Sequence, residues 1–383
     1  MLFFTEIYFY LLIVFGIIYV ALILFYTLGW FRLKTFNPQN TKFKTRVSII
    51  IPARNEEENI TNLLTDLAHQ AYPKNLFEVI VIDDNSTDTT HEKVSNFIKN
   101  SNEKNFNLIG ISEESPDTAY KKKAINLAIE KSNGDLIITT DADCRMGMNW
   151  LSSFVTLYET EKPKMIVGPV SFFNETTFFQ KMQTLEFLSL IAITGGAIKA
   201  GRPIMCNGAN LAYEKGAFIE VGGFGSDSFA SGDDVFLLLR MKKQFGNKSV
   251  RFLKNNNAIV YTEALKSVAD FFHQRTRWAS KNKVYDVKIL FVSFSVYMTN
   301  LILFTGLIQS IFIPSMLPPV MLAFVIKLLV ELPILIGIGN FVKRSRMFLY
   351  SFPLIFIYPL YIIVVGALGI LGNYHWKGRK VKQ

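Results

Sequence analysis

The chain has 383 residues, of which 50% are hydrophobic and 14% aromatic, while only 19% are charged. Soluble domains average about 25% charged residues, so this balance excludes a disordered chain or a simple soluble domain and implies a folded domain joined to membrane segments. The net charge of +10 suits anionic lipid or a phosphorylated substrate. Its Lys and Arg are spread along the chain without a nucleic-acid motif, which argues against a nucleic-acid partner. Two cysteines, Cys144 and Cys206, form no CxxC pair, and histidines are few, so a disulfide scaffold and a Cys- or His-rich zinc site are disfavoured.

No charged residue occurs from Ile7 to Phe31. A helix of that length reaches roughly 38 Å and spans a hydrocarbon core. The start MLFFTEIYFY lacks the basic region of a cleaved signal, so a retained anchor is expected. Arg32, Lys34, Lys42, Lys44 and Arg46 follow at once, which places the next segment in the cytoplasm.

Short β-branched runs then predict strands at Val47–Ile51, Val79–Ile82, Leu108–Ile111 and Leu136–Thr139. Helical patterns alternate with them. Ile60, Leu63, Leu64 and Leu67 share one face, as do Ala124, Leu127 and Ala128. Such alternation means βαβ units and a mostly parallel sheet, with ligands beyond the carboxyl ends of the strands.

Polar clusters sit at those ends. After the first strand, IPARNEEENI places Arg54, Asn55 and Glu56 where a helix begins, which also suits simple capping. VIDDNSTD supplies Asp83, Asp84 and Asp88. Asp88 reads as a helix cap, and Asp83 or Asp84 as an acceptor for base or ribose groups. Lys121, Lys122 and Lys123 open the helix KKKAINLAI, where cations oppose the helix dipole; a diphosphate or plain solvent would balance them. Asp141 and Asp143 in IITTDADCR lie just past a buried strand. Two carboxylates at that spacing suit Mg²⁺ or Mn²⁺ completed by phosphate oxygens, although an Asp-rich turn is common at strand ends.

Further on, SGDDVFLLLRM puts Asp233 and Asp234 at the head of an apolar helix. Adjacent carboxylates raise each other's pKa, which suits a general base, and they also suit N-capping. HQRTRW presents Gln274, Arg277 and Trp278 just before the next apolar run. Trp offers a stacking face and Arg a bidentate clamp for phosphate; a juxtamembrane anchor would use the same residues. The Phe-rich stretch Phe172–Ile198 is amphipathic and points to a bilayer surface.

Three apolar runs close the chain: Ile289–Ile326, Val320–Phe341 and Met347–Trp376. Lys327 and Glu331 stand at i and i+4 inside the second, as a mutual ion pair or as an intramembrane site. Three full crossings would place Lys377, Arg379, Lys380 and Lys382 outside, against the positive-inside preference, so one run is a candidate for a re-entrant or interfacial segment. The expected organisation is an anchor at 1–31, a domain at 32–287, membrane segments at 288–376 and a basic tail at 377–383.

Taken in order, IPARNEEENI, VIDDNSTD, KKKAIN, DAD, CNGAN, GDD and QRTRW resemble the motif string of family 2 glycosyltransferases with a GT-A fold, over about Val47 to Trp278. The membrane-bound members include hyaluronan-, chitin- and cellulose-synthase-like and ceramide-glucosyltransferase-like enzymes. The resemblance implies an α/β GT-A domain flanked by transmembrane helices in a bacterial-type cell membrane. It implies that Ala53, Arg54, Glu56 and Asp84 (or Asp83) hold the nucleoside. Lys121 matches a G-K-x-x-A-L-N lysine, here preceded by Tyr120 instead of Gly. Asp141 and Asp143 would take Mg²⁺ or Mn²⁺ and the diphosphate. Gly208 and Asn210 of CNGAN join the substrate-binding set. Asp234 matches the base of the family's E-D pair, with Asp233 in place of Glu. Gln274, Arg277 and Trp278 would meet acceptor and diphosphate.

The implied reaction is inverting transfer from a nucleotide-diphosphate sugar, with UDP the family's commonest nucleotide, to a membrane lipid or lipid-linked acceptor. A processive polysaccharide synthase is the alternative, and few membrane runs are available to build its channel. A non-catalytic nucleotide-sugar-binding membrane protein would have no need of Asp234 or QRTRW, and a transporter would call for more spans.

Overall fold

Strands that are apolar along their whole length must be covered on both faces. The computed structural model describes residues 2–37, 42–101, 103–111, 118–225, 233–280, 285–371, 373–376 and 379–382. In chain order its elements are α1 (Leu2–Arg32), β1 (Val47–Ala53), α2 (Ile60–Ala68), β2 (Phe77–Asp83), α3 (Thr90–Asn100), β3 (Phe106–Gly110), α4 (Thr118–Lys131), β4 (Leu136–Thr139), β5 (Arg145–Met146) and α5 (Trp150–Glu161). There follow β6 (Met165–Val167), β7 (Val170–Phe173), α6 (Phe178–Lys199), β8 (Leu211–Glu214), α7 (Lys215–Glu220), α8 (Asp233–Phe245), β9 (Val250–Phe252) and β10 (Val260–Glu263). The last are α9 (Val268–Ala279), α10 (Val287–Phe312), α11 (Leu317–Phe341), α12 (Ser351–Leu371) and a ribbon of β11 (Asn373–Trp376) with β12 (Arg379–Lys382).

The chain divides into two compact units. One comprises residues 33–174 and 197–263. Its main sheet has the order β3-β2-β1-β4-β8-β6-β9, in which only β8 runs against its neighbours. This is a mixed α/β sheet, mostly parallel. Ile49, Ile50 and Ile51 of β1 are fully buried, and Ile60, Leu63, Leu64 and Leu67 of α2 are sealed against the sheet. The α4 face differs from the sequence expectation. Ile125, Ala128 and Ile129 are buried, whereas Leu127 is 49% exposed. Ala128 thus matches the expectation and Leu127 does not, while the Ala124 side chain lies outside the described residues. A small second sheet, β5-β10-β7, lies beside the main one in sequence at the exit of β4.

The other unit gathers residues 1–32, 175–196 and 264–383. Its four helical segments Thr5–Arg32, Val287–Phe312, Pro314–Phe341 and Ser345–Ile370 are long and apolar enough to cross a membrane. Tyr8, Ile302, Leu303, Met316, Val320, Phe324 and Ile355 form one buried cluster among them. Helices α1 and α6 cross at glycines. A Cβ on Gly29 would lie 2.2 Å from the Gly196 carbonyl oxygen, and one on Gly196 as close to that of Tyr26. Small residues of this kind let apolar helices approach where no hydrophobic drive separates helix from lipid. Lys327 and Glu331 are paired at 2.5 Å, and Tyr19 hydrogen-bonds the same carboxylate. The Lys327 ammonium also lies 5.4 and 5.1 Å from the ring centres of Tyr19 and Tyr358. The pair is therefore satisfied inside the bundle.

Candidate active site

Parallel pairing brings the polar turns to one edge of the sheet. Ala53 at the end of β1 is in register with Asp83 at the end of β2, and Thr139 at the end of β4 with Ile50. Antiparallel β8 starts at that same edge, because Leu211 pairs with Thr139.

The β1 and β2 turns are laced together. The Arg54 guanidinium donates to the Asp84 carbonyl at 2.6 Å, and the Glu56 amide donates to Thr90 Oγ1 at 2.8 Å. Asn55 (φ 51°) and Asn85 (φ 53°) both take left-handed backbone, which Asn tolerates better than most residues. Asn55 Oδ1 accepts the Thr87 amide at 2.9 Å. Asp83 is occupied: Oδ1 accepts the Ser86 amide and hydroxyl, and Oδ2 lies 3.0 Å from His91 Nδ1. Asp84 is its buried neighbour. Asp88 stands one residue before the N-cap of α3, Thr89, and accepts the Thr90 amide at 3.0 Å and the Glu57 amide at 3.2 Å. Burial pushes its carboxyl up, but the hydrogen bonds from Thr90 and Glu57 prevail and hold it below the usual range.

The DAD turn is pinned on both sides. Arg145, next after Cys144, forms a bidentate pair with Asp66 of α2 at 2.7 and 2.9 Å. Strand β10 pairs with β5 through Tyr261 and Arg145, which sets Thr262 against Asp143. Thr262 Oγ1 donates to Asp143 Oδ2 at 2.9 Å. Cys144 is buried, and its thiol is held well above the ordinary range by burial and then by the charges of Asp143 and Asp141. The local field is thus negative. Among the described residues no group of three or more His, Cys, Asp and Glu side chains gathers to hold a metal. The two carboxylates alone fit a hard divalent ion whose other ligands are water and substrate oxygens.

Asp234 joins the same edge. Its Oδ2 accepts the Gly208 amide at 3.0 Å, and the Gly208 carbonyl accepts Thr139 Oγ1 at 3.0 Å, two residues before Asp141. Asp233 precedes it as the first residue of α8, whose Val235, Phe236, Leu237 and Leu238 are buried. Asn210 departs from the expectation that it binds substrate. It is fully buried: Oδ1 accepts Trp150 Nε1 at 2.9 Å, and Nδ2 donates to the carbonyls of Pro169 and Ala258 at 2.7 and 2.8 Å. Every polar atom of that amide is spent on protein, so Asn210 is a strut beneath Gly208. Lys121 lies within α4, and its side chain is outside the described residues.

Gln274, Arg277 and Trp278 lie on α9 in the other unit. Arg275, the second residue of QRTRW, is engaged by a neighbouring helix. It is 2% exposed and pairs with Glu186 of α6 through both Nε and Nη2. Tyr361 donates to the same carboxylate at 2.8 Å. The guanidinium lies 4.5 Å from the Phe271 ring centre and 4.3 Å from that of Trp278. Charge pairing with Glu186 outweighs burial and raises the Arg275 pKa further. A signal for this pair existed: Glu186 is the sole charge between Met182 and Ile198. Thr262 carried no such signal.

Comparison with known proteins bears on this arrangement. The model described as Glycosyl transferase family 2 matches residues 48–222, and that described as Glycosyl transferase family group 2 matches residues 136–366. A Bacillus subtilis protein named probable glycosyltransferase YdaM is 29% identical over 71% of this chain and 66% of its own length. A beta-monoglucosyldiacylglycerol synthase of Nostoc sp. is 26% identical over 61% of this chain and 48% of its own. This chain thus spans less than two thirds of either relative. The mannosyltransferase PcManGT from Pyrobaculum calidifontis, solved in complex with GDP-Man and Mn²⁺, superposes with a TM-score of 0.58 at 18% identity, covering 94% of this chain and 96% of that one. At that identity the likeness establishes the fold.

Proposed function

We propose the following reaction for this chain, which belongs to glycosyltransferase family 2: a sugar passes from a nucleotide-diphosphate sugar to a hydroxyl of a membrane lipid or lipid-linked acceptor, with inversion. The observation that carries it is the Asp234–Gly208–Thr139 chain of hydrogen bonds, which anchors a carboxylate at the strand end that leads into Asp141 and Asp143. Asp234 takes the proton of the acceptor hydroxyl while that oxygen attacks the anomeric carbon. The bond from that carbon to the diphosphate oxygen breaks, and the nucleoside diphosphate leaves. One displacement inverts the centre and requires one base.

Asp141 and Asp143 would hold Mg²⁺ or Mn²⁺. A bound divalent ion supplies charge neutralisation for the departing diphosphate. Lys121 is assigned to that diphosphate. Ala53, Arg54 and Glu56 line the nucleoside, with Asp84 or Asp83 as its acceptor at the end of β2. Gln274, Arg277 and Trp278 are assigned to the acceptor. The basic residues after α1 support a cytoplasmic position for the domain. The glucosyldiacylglycerol synthase likeness supports a lipid acceptor. A likeness to a poly-beta-1,6-N-acetyl-D-glucosamine synthase of Staphylococcus aureus, 24% identical over 61% of this chain and 53% of that one, keeps a processive synthase as the second reading.

The test is a panel of nucleotide sugars, UDP-sugars first and GDP-mannose included, with the purified protein in mixed lipid micelles. Metal-dependent nucleoside diphosphate release that rises with lipid acceptor is expected. Binding without release for every donor would overturn the transferase reading in favour of a binding protein. A ladder of long products on a gel would favour the synthase.

A further inference from the structure

Helix α11 ends beside Trp30 of α1: the Phe341 and Trp30 rings lie 5.6 Å apart, edge to face, and Arg32 closes α1 two residues later. A Trp and a terminal Arg of this kind mark the water–lipid boundary of a spanning segment. Beyond Phe341 the chain turns sharply. The Arg344 amide reaches back to the Gly339 carbonyl at 2.7 Å, and Lys343 takes φ 59°, a left-handed position that glycine fills more readily. This turn sends three cations, Lys343, Arg344 and Arg346, to the wall of one cavity of about 690 Å³. Phe178, Leu349 and Tyr350 add aromatic and aliphatic lining to the same cavity. The Phe178 and Tyr350 rings lie 5.6 Å apart, and Phe178 and Leu349 are each 51% exposed.

The charges are unequal in use. Arg344 is neutralised by Glu175 through two hydrogen bonds of 2.7 and 2.8 Å. Lys343 and Arg346 are exposed, and among the described residues no carboxylate pairs with either. A single cation near a helix end would answer the helix dipole. Two uncompensated cations on a ligand-sized cavity with an aromatic and aliphatic wall call for an anion that also carries hydrocarbon. We propose that this cavity binds the phosphate headgroup of an anionic membrane phospholipid, with Lys343 and Arg346 on the phosphate and the upper acyl chain against Phe178 and Leu349. None of its lining residues is assigned to catalysis, and the proposal stands whether or not the transferase reading holds.

The test titrates the purified full chain in neutral detergent with dioctanoyl phosphatidylglycerol, dioctanoyl phosphatidylcholine or inorganic phosphate, reading the thermal unfolding midpoint. Phosphatidylglycerol should raise the midpoint at concentrations at which the other two leave it unchanged. Lys343→Gln with Arg346→Gln should shift the phosphatidylglycerol titration at least tenfold to higher concentration, while Lys343→Arg with Arg346→Lys should keep it. Equal effects of the two lipids, an effect of phosphate alone, or a glutamine variant that titrates like the parent would each overturn the proposal. Should the double variant fail to fold, Arg346→Gln alone serves, with at least a threefold shift expected and no shift refuting.

Discussion

Asp234 and Gly208 are joined by one hydrogen bond, from the glycine amide to Oδ2 at 3.0 Å. Oδ1 accepts the Val235 amide at 2.9 Å, so Asp234→Asn keeps the shape of the side chain and one of its two amide contacts while removing the proton acceptor. Donor affinity should hold and turnover should fall roughly 10²–10⁴-fold, the usual size of a general-base loss. Donor binding by calorimetry beside single-turnover rates checks both halves. A near-parental rate would move the base assignment to Asp233 or elsewhere.

Asp143 is held by Thr262 on a different strand, so its position depends on the β10–β5 pairing as well as on its own turn. Asp143→Ala should weaken Mn²⁺-dependent donor binding at least tenfold, and Thr262→Val should weaken it less, because the carboxylate remains but loses its guide. Each tenfold corresponds to about 1.4 kcal/mol. Equilibrium dialysis with and without Mn²⁺ separates the metal-dependent part. Undiminished affinity for the Ala variant would contradict the assignment of this carboxylate to metal and diphosphate.

Strand β4 matches its expectation residue for residue, and the α2 face is buried as its spacing demands, because both rest on local periodicity within one element. On the α4 face Ala128 is buried as expected and Leu127 is not, since the buried side runs through Ile125, Ala128 and Ile129. Likewise the polar look of CNGAN suggests a ligand loop, yet Asn210 meets Trp150, Pro169 and Ala258, which lie 60, 41 and 48 positions away. Motif spacing showed that the acidic turns share an edge. Which carboxylates are already engaged, as Asp83 is and as Asp143 is with Thr262, depends on long-range pairing that no local pattern carries.

Glu186 and Arg275 are separated by 89 positions and are nearly sealed from solvent, at 8% and 2% side-chain exposure. Removing one member of such a pair strands the other charge, a loss of about 3–5 kcal/mol. Glu186→Ala should therefore lower the unfolding free energy by that order, with Glu186→Asp less severe. Because Arg275 stacks on Trp278, variants that still fold should also weaken acceptor use more than donor binding. Denaturant titration together with separate KM values for the two substrates reads both effects. A stability change within the error of the parent would show that the pair is dispensable.

Glu175 supplies a pH test with a defined sign. Burial raises its carboxyl pKa, but the hydrogen bonds from Arg344 and Thr184 outweigh it, and the group titrates below the ordinary glutamate range. The folded state therefore binds fewer protons here than the unfolded chain, and the stabilisation is complete above the ordinary glutamate value and lost as pH falls through the lowered one. At pH 7, Arg344→Gln should cost about 1.5–3 kcal/mol, the range for hydrogen bonds to a charged group. The difference between parent and variant should shrink as the pH is taken below about 4. Thermal unfolding in neutral detergent at stepped pH measures it. A gap that widens in acid would mean that Glu175 is not held as the anion by Arg344.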